Sequence, residues 1–203
     1  LAVTVVQGST LFLYDSLFAI HVTSLGHAVR WAGIAMVPGI LLEIGVMVAA
    51  PQLLRRWPPT GLLLAGLVAA AIRWGLTAVV TAPLPLVAVQ ALHGLSFGAY
   101  WIGGVELLRQ RAPEHIRASA QTLFFSCFWT GALLSAGLVA ALMDLVGTRG
   151  LYALGAVLTA MATLALLRVM RRSVSPDPGL LATQRGGEGA HSRGLTTPPR
   201  KQR

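Results

Sequence analysis

Four ionisable side chains lie within long apolar stretches of the sequence: Asp15, Glu43, Arg73 and His93. A charge in the hydrocarbon region of a bilayer costs about 2.5–3.5 kcal/mol on insertion scales, so it is retained where it faces the protein interior or a water-filled cavity. Because the set carries both signs of charge, we interpret it as the lining of an internal path. A buried ion pair that only ties helices together is the alternative. The neutral companions in the same stretches are Gln7, Tyr14 and Gln90.

The elements that must position these residues are long apolar segments separated by short connections. A spanning helix needs roughly 20 apolar residues, and only 11% of this chain is charged, against about 25% in a soluble domain. The runs are too long for strands and lack a period of two. We therefore predict an all-α membrane protein, a six-transmembrane-helix bundle. Its spans lie at 1–22, 31–54, 61–82, 85–108, 118–143 and 150–170.

The depth of each ionisable residue follows from the rise of a helix. At 1.5 Å per residue, Asp15, Arg73 and His93 lie roughly 10–14 Å below one membrane surface, and Glu43 roughly 18 Å below it. Four different helices thus bring these side chains to one level near the midplane. His21 and His27 lie nearer that surface, where we expect them to be solvated.

The basic residues are distributed unevenly between the two sides of the predicted bundle. Alternating connections place thirteen of the sixteen Lys and Arg on one side and two on the other. By the positive-inside rule the rich side, which includes the C-terminus, is cytoplasmic. The surplus is a topology signal, so no nucleic-acid partner is expected. We predict a transmembrane domain at 1–172, a disordered basic cytoplasmic tail at 173–203, and a multi-pass location in a bacterial inner membrane.

Small and aromatic residues add packing and binding hypotheses. Gly94 with Gly98, and Gly131 with Ser135, have the four-residue spacing that allows helix backbones to approach closely in lipid. An aromatic stripe follows one face of the fourth span and could form a wall for a ring-shaped solute, together with Trp74. The stripe comprises His93, Phe97, Tyr100 or Trp101, and then Gly104.

An enzymatic alternative arises at residues 94–98, which match the pattern G-x-S-x-G. That nucleophile motif requires a strand–turn–helix context, whereas here it lies in an apolar helix. A six-helix intramembrane hydrolase using Ser96 and His93 is the second hypothesis, and a non-transporting membrane subunit is the third. The chain has no P-loop, zinc spacing or dinucleotide fingerprint. We therefore expect no cofactor, no metal and no enzymatic activity.

Several stretches, in their order and spacing, resemble the C-terminal six-helix half of a major facilitator superfamily transporter. The similarity covers residues 1–170, and the subgroup it suggests is the proton symporters that resemble lactose permease and the phenylpropionate permeases. The matching stretches are Gln7–Tyr14, Gly39–Glu43, Leu62–Gly66 leading to Arg73, Gln90–His93, and Pro113–Gln121.

The resemblance implies alternating-access transport of a small organic solute with protons. In those symporters a Glu, an Arg and a His of this half bind substrate and couple protons, which carries onto Glu43, Arg73 and His93. Ser96 stands where lactose permease has a second Glu, so Glu43 becomes the candidate proton carrier. Further candidates for the binding site are Gln7, Tyr14, Asp15 and Trp101. The resemblance also implies a missing N-terminal six-helix half as partner, which fits a sequence that begins at Leu1 without a methionine.

Overall fold

The computed structural model describes residues 1–174, except for the side chains of residues 14–16 and 172–174. Every regular element in this part of the chain is helical. The helices are α1 (Ala2–Ser24), α2 (Arg30–Val48), α3 (Ala50–Arg56), α4 (Pro59–Val79), α5 (Pro83–Arg111) and α6 (Arg117–Val174), with a short 3₁₀ turn at Glu114–Ile116.

Proline marks the start of several helices because its fixed φ suits the first turn and its missing N–H has no partner there in any case. Pro59 and Pro83 are the first residues of α4 and α5. Pro38 lies inside α2, where it removes one backbone hydrogen bond. Helices α4 and α5 therefore begin at the connections that the sequence predicted after the second and third apolar segments.

The predicted count of six spans is only approximately reproduced. Among the described residues four helices are long and apolar enough to cross a membrane, or five if α1, bent by 48° between Ala2–Leu13 and Leu17–Ser24, is one span. The 58 residues of α6 are counted once in that number, although Gly147 interrupts them with φ 62° and ψ −176°. A left-handed φ of this kind favours glycine. The two predicted segments 118–143 and 150–170 lie on either side of this break.

The chain divides into two compact units, Leu1–Ala165 and Leu166–Arg203. The first contains α1 to α5 and most of α6. Of the second, only the end of α6 belongs to the described residues. The tail predicted at 173–203 falls almost wholly outside them, so its disorder and the domain boundary stay predictions.

Close contact between helix backbones occurs where the sequence places glycine. A Cβ on Gly94 would overlap the backbone nitrogen of Glu43, and one on Gly131 would overlap the carbonyl of Val5. At Gly66, a Cβ would lie 2.5 Å from the backbone nitrogen of Tyr100. Helix α5 thus packs backbone to backbone on α2 and α4, while α6 does so on α1, as small residues permit in lipid.

The expectation that His21 is solvated is wrong, because its side chain is fully buried. Its Nε2 lies 3.1 Å from the carbonyl oxygen of Thr77, and its Nδ1 lies 2.8 Å from Oγ1 of Thr148. A carbonyl only accepts, so Nε2 carries the hydrogen and Nδ1 accepts from the Thr148 hydroxyl. Counting depth along α1 could not reveal this, because residues on the inner face of a helix are enclosed by its neighbours at any depth.

Candidate functional site

Three of the predicted residues meet in the interior and form a continuous chain of contacts. Nη1 of Arg73 lies 2.5 Å from Nδ1 of His93, and Nε2 of His93 lies 3.3 Å from Oε2 of Glu43. The three side chains come from α4, α5 and α2 respectively. These contacts bring Glu43, Arg73 and His93 to one level of the bundle, and we call the three residues the charge chain.

The partners of His93 define the state of its ring. A guanidinium has no acceptor, so Arg73 donates and Nδ1 of His93 must accept. The imidazole in this arrangement is neutral, with its one hydrogen on Nε2, the nitrogen that faces the Glu43 carboxylate. An uncharged ring thus joins a cation to an anion, and the tautomer is assigned from these partners.

Burial differs along the charge chain. Arg73 is completely buried, whereas the side chains of His93 and Glu43 are 16% and 26% exposed. The guanidinium carbon also lies 3.9 Å from the ring centroid of Trp74, a cation–π contact that helps to hold the cation away from water. The carboxylate end of the chain is the accessible end.

The contact between Glu43 and His93 depends on the crossing of α2 and α5. Gly94 follows His93 directly, and its Cα faces the backbone of Leu42 and Glu43. On the opposite helix, Gly39 faces the backbone oxygen of Gln90 and the Cβ of His93. Because neither position has a side chain, the two helices approach closely enough for a short Glu–His contact.

The carboxylate end opens into a cavity of about 580 Å³. Its described lining comes from α1, α2, α5 and the first half of α6 and is mostly apolar. Volumes of about 300–1,000 Å³ with a few polar groups are typical of small-molecule sites. The lining residues are Leu11, Met36, Gly39, Ile40, Glu43, Gln90, His93, Phe97, Trp101, Phe125, Phe128 and Trp129.

The predicted aromatic stripe forms one wall of this cavity. The rings of His93 and Phe97 are parallel to within 2° with centroids 5.9 Å apart, and Phe97 stacks on Trp101 at 5.3 Å. The sequence left open whether Tyr100 or Trp101 belongs to this stripe. Trp101 lines the cavity, whereas Tyr100 is buried against Phe124. The rings make this wall aromatic and apolar, which suits contact with the ring of an organic solute.

Other predicted residues lie elsewhere. Trp74 is enclosed in the core, stacked on Tyr152, so its predicted place in the cavity wall is wrong. Gln7 is buried and is not among the residues that line the cavity. Its Nε2 lies 3.5 Å from the carbonyl oxygen of Ser96. The predictions for Tyr14 and Asp15 fall on side chains outside the described residues.

Two groups of cavity-lining residues were not among the principal candidates from the sequence: the aromatic residues of α6, and Gln90. Phe125, Phe128 and Trp129 line the cavity beside the α5 stripe, and Trp101 of that stripe packs against Phe125 and Phe128. Their spacing of three and four residues is the signal that could have found them, because such residues share one helix face. Gln90 lies three residues before His93 and shares its face for the same reason.

The hydrolase geometry is not formed. Oγ of Ser96 donates to the backbone carbonyl of His93 at 3.1 Å, while both ring nitrogens of His93 face Arg73 and Glu43. A serine nucleophile needs a base within hydrogen-bond reach. In the part of the chain that the structure describes, no group of three His, Cys, Asp or Glu side chains could hold a metal ion.

The long apolar helices define an integral membrane protein with ionisable side chains at the edge of an internal cavity. The family model described as the MFS_1 like family matches residues 1–154. That is well over half of the chain, so the chain belongs to this family of major facilitator superfamily transporters. No curated protein matches the chain.

Proposed function

We propose that this chain forms half of a proton-coupled symporter for a small organic solute, an organic or aromatic acid, a sugar or a nucleoside. The observation that carries the proposal is the contact of His93 with both Arg73 and Glu43 at the edge of the cavity. It brings a fixed cation, a proton-binding carboxylate and a space for a solute together.

The charge chain can exist in two arrangements that differ by one proton. With Glu43 ionised, the carboxylate attracts the Nε2–H of His93, whose other nitrogen accepts from Arg73. A proton on Glu43 removes that attraction and leaves the ring held from the Arg73 side. Because a solute in the cavity touches Glu43 and His93, its binding favours one of these arrangements, which is the differential interaction that coupling requires.

The cavity wall supports an organic solute with a flat or apolar part. Phe97 and Trp101 supply aromatic surface to the cavity wall. The positive charge of Arg73, which lies behind the neutral imidazole of His93, would attract a carboxylate. The carboxylate of Glu43 would accept hydrogen bonds from hydroxyl groups. These features fit an aromatic acid, a sugar or a nucleoside, since each combines a ring with polar groups, and the attraction of Arg73 for a carboxylate also fits other organic acids.

A second six-helix body is part of the proposal. Alternating access in this superfamily needs two halves around a midplane site, and α2 carries exposed apolar residues beside Glu43, among them Ile40, Leu41 and Ile44. We infer a multi-pass protein of a bacterial inner membrane with its C-terminus in the cytoplasm, on the distribution of Lys and Arg.

The test is Glu43→Gln in the complete transporter, reconstituted in proteoliposomes with an imposed pH gradient. The amide keeps the size of the side chain but cannot exchange a proton, so we expect accumulation driven by the gradient to be lost. Exchange of solute between the two sides should partly survive. The matched control is Glu114→Gln, an exposed residue between α5 and α6. Unchanged gradient-driven accumulation by the Glu43 variant would refute the coupling role.

A further inference from the structure

Gln90 is a polar side chain of the cavity wall that the coupling proposal does not use. It is fully buried among its neighbours, yet it lines the same cavity as Glu43 and His93. It lies one turn before His93 on α5, so the two residues share a helix face. A buried amide must satisfy two donors and one acceptor oxygen, and its partners therefore define what it can still bind.

The orientation of this amide follows from its neighbour Thr77. The Thr77 hydroxyl donates to the carbonyl of Arg73 at 2.8 Å, so its single hydrogen is already used. Oγ1 of Thr77 can then only accept, and it accepts from Nε2 of Gln90 at 3.2 Å. The nitrogen of the amide must face Thr77, and the oxygen must face the other way.

The oxygen on the other side is the group that lacks a partner. Oε1 of Gln90 accepts no hydrogen bond from any residue that the structure describes. A buried acceptor left in this state is energetically unfavourable, because it has lost its hydrogen bonds to water. Such a cost is recovered when a donor enters, so an acceptor beside a binding cavity favours ligands that bring one.

We propose that Gln90 determines specificity: its Oε1 accepts a hydrogen bond from a hydroxyl or N–H group of the solute. The inference rests on the proposed transport function and narrows its substrate class. The preferred solute has a flat ring that stacks along Phe97 and Trp101 and a donor group near the Gln90 end of the cavity. An analogue whose donor is methylated leaves Oε1 unsatisfied and binds more weakly.

The experiment measures binding to the complete transporter in nanodiscs by equilibrium dialysis of radiolabelled probe pairs that differ only in whether their donor groups are methylated. The pairs are 3-(4-hydroxyphenyl)propionate with its 4-methoxy analogue, uridine with 3-methyluridine, and phenyl β-glucoside with its tetra-O-methyl ether. We expect one pair to show a preference of about tenfold or more for the donor member, as sites built to hydrogen-bond a substrate group do. In Gln90→Met this preference should disappear.

A second variant keeps the test decisive if Gln90→Met folds poorly. Thr77→Val retains Gln90 but removes the acceptor that orients its nitrogen, so the donor preference should fall by about threefold or more because the amide can turn. Gln110→Met, an exposed change on the same helix, should leave the preference unchanged. The assignment would be overturned if the donor preference persisted in both Gln90→Met and Thr77→Val. It would also be overturned if the wild type showed no donor preference with any of the three pairs.

Binding and transport separate the two proposals. Gradient-driven uptake that depends on Glu43, with no donor preference in binding, would reject the role of Gln90 alone. A donor preference that depends on Gln90, without proton-driven uptake, would reject symport and leave the binding assignment standing.

Discussion

Nη1 of Arg73 lies 2.5 Å from Nδ1 of His93, although the two residues belong to different helices, α4 and α5. Arg73 is completely buried, so part of the stabilisation of its charge comes from a ring that is itself neutral. That dependence makes His93 a residue whose replacement should lower stability and abolish coupling together, while leaving the aromatic wall of the cavity in place.

Replacing His93 with Phe should keep the stack on Phe97 while removing the acceptor for Arg73. We expect a loss of about 1–3 kcal/mol in the free energy of unfolding, because a buried donor loses one of its hydrogen-bond acceptors. Gradient-driven uptake should be abolished, whereas binding of an apolar aromatic probe should change little. Unfolding in mixed micelles and uptake in proteoliposomes measure the two effects. His115→Phe, at an exposed position, is the control, and undiminished uptake by His93→Phe would contradict the prediction.

Adding a methyl group at Gly94 should push α2 away from α5. The new Cβ would overlap the backbone of Leu42 and Glu43, which cannot move like a flexible side chain. Overpacking of this kind costs about 1–3 kcal/mol, and the Glu43–His93 contact should lengthen. Gly94→Ala is therefore expected to lower both stability and coupled uptake. Gly45→Ala, on α2 with no atom near its added Cβ, should be neutral or slightly stabilising. Equal effects at the two positions would exclude this account.

Removing the ring of His21 should weaken the contacts between α1, Thr77 at the end of α4, and Thr148. The ring makes two polar contacts and packs edge-on against Tyr152. Its loss leaves a cavity and unpaired groups, so His21→Ala should cost about 2–5 kcal/mol, in the range of large-to-small core changes. Unfolding in mixed micelles measures it. Exposed His115→Ala should cost little, and a cost below about 0.5 kcal/mol at His21 would argue that its contacts contribute nothing.

Trp101 should contribute to the binding of solutes that contain a ring. Aromatic contacts add about 0.5–1.5 kcal/mol beyond burial, so Trp101→Leu should weaken binding of a phenyl-containing probe by about two- to tenfold. Binding of a non-aromatic probe of similar size should change less. Trp57→Leu, at an exposed position outside the cavity lining, should affect neither. A uniform loss across both probes at Trp101 would indicate a structural effect instead.

Distance along a helix was predictable from the sequence, and direction around the helix axis was less so. Glu43, Arg73 and His93 could be placed at one level because the rise per residue is constant. The position of a residue along its helix does not tell which side of the helix its neighbours enclose. His21 was therefore predicted to be solvated and Trp74 to line the cavity, whereas both are buried in the core. Phe125 and Trp129 were missed because their cavity is formed only when α6 packs beside α5.

The glycine contacts described for α5 have a mechanical consequence. With Gly94 and Gly98 against α2, and Gly66 of α4 against Tyr100, the backbones of three helices are in direct contact. Interiors this closely packed are stiff, and sliding one helix past another would drive main-chain atoms together. These three helices should therefore rotate and translate as one rigid element. Entry and exit of a solute must then be controlled at the edges of that element, where other parts of the transporter move past it.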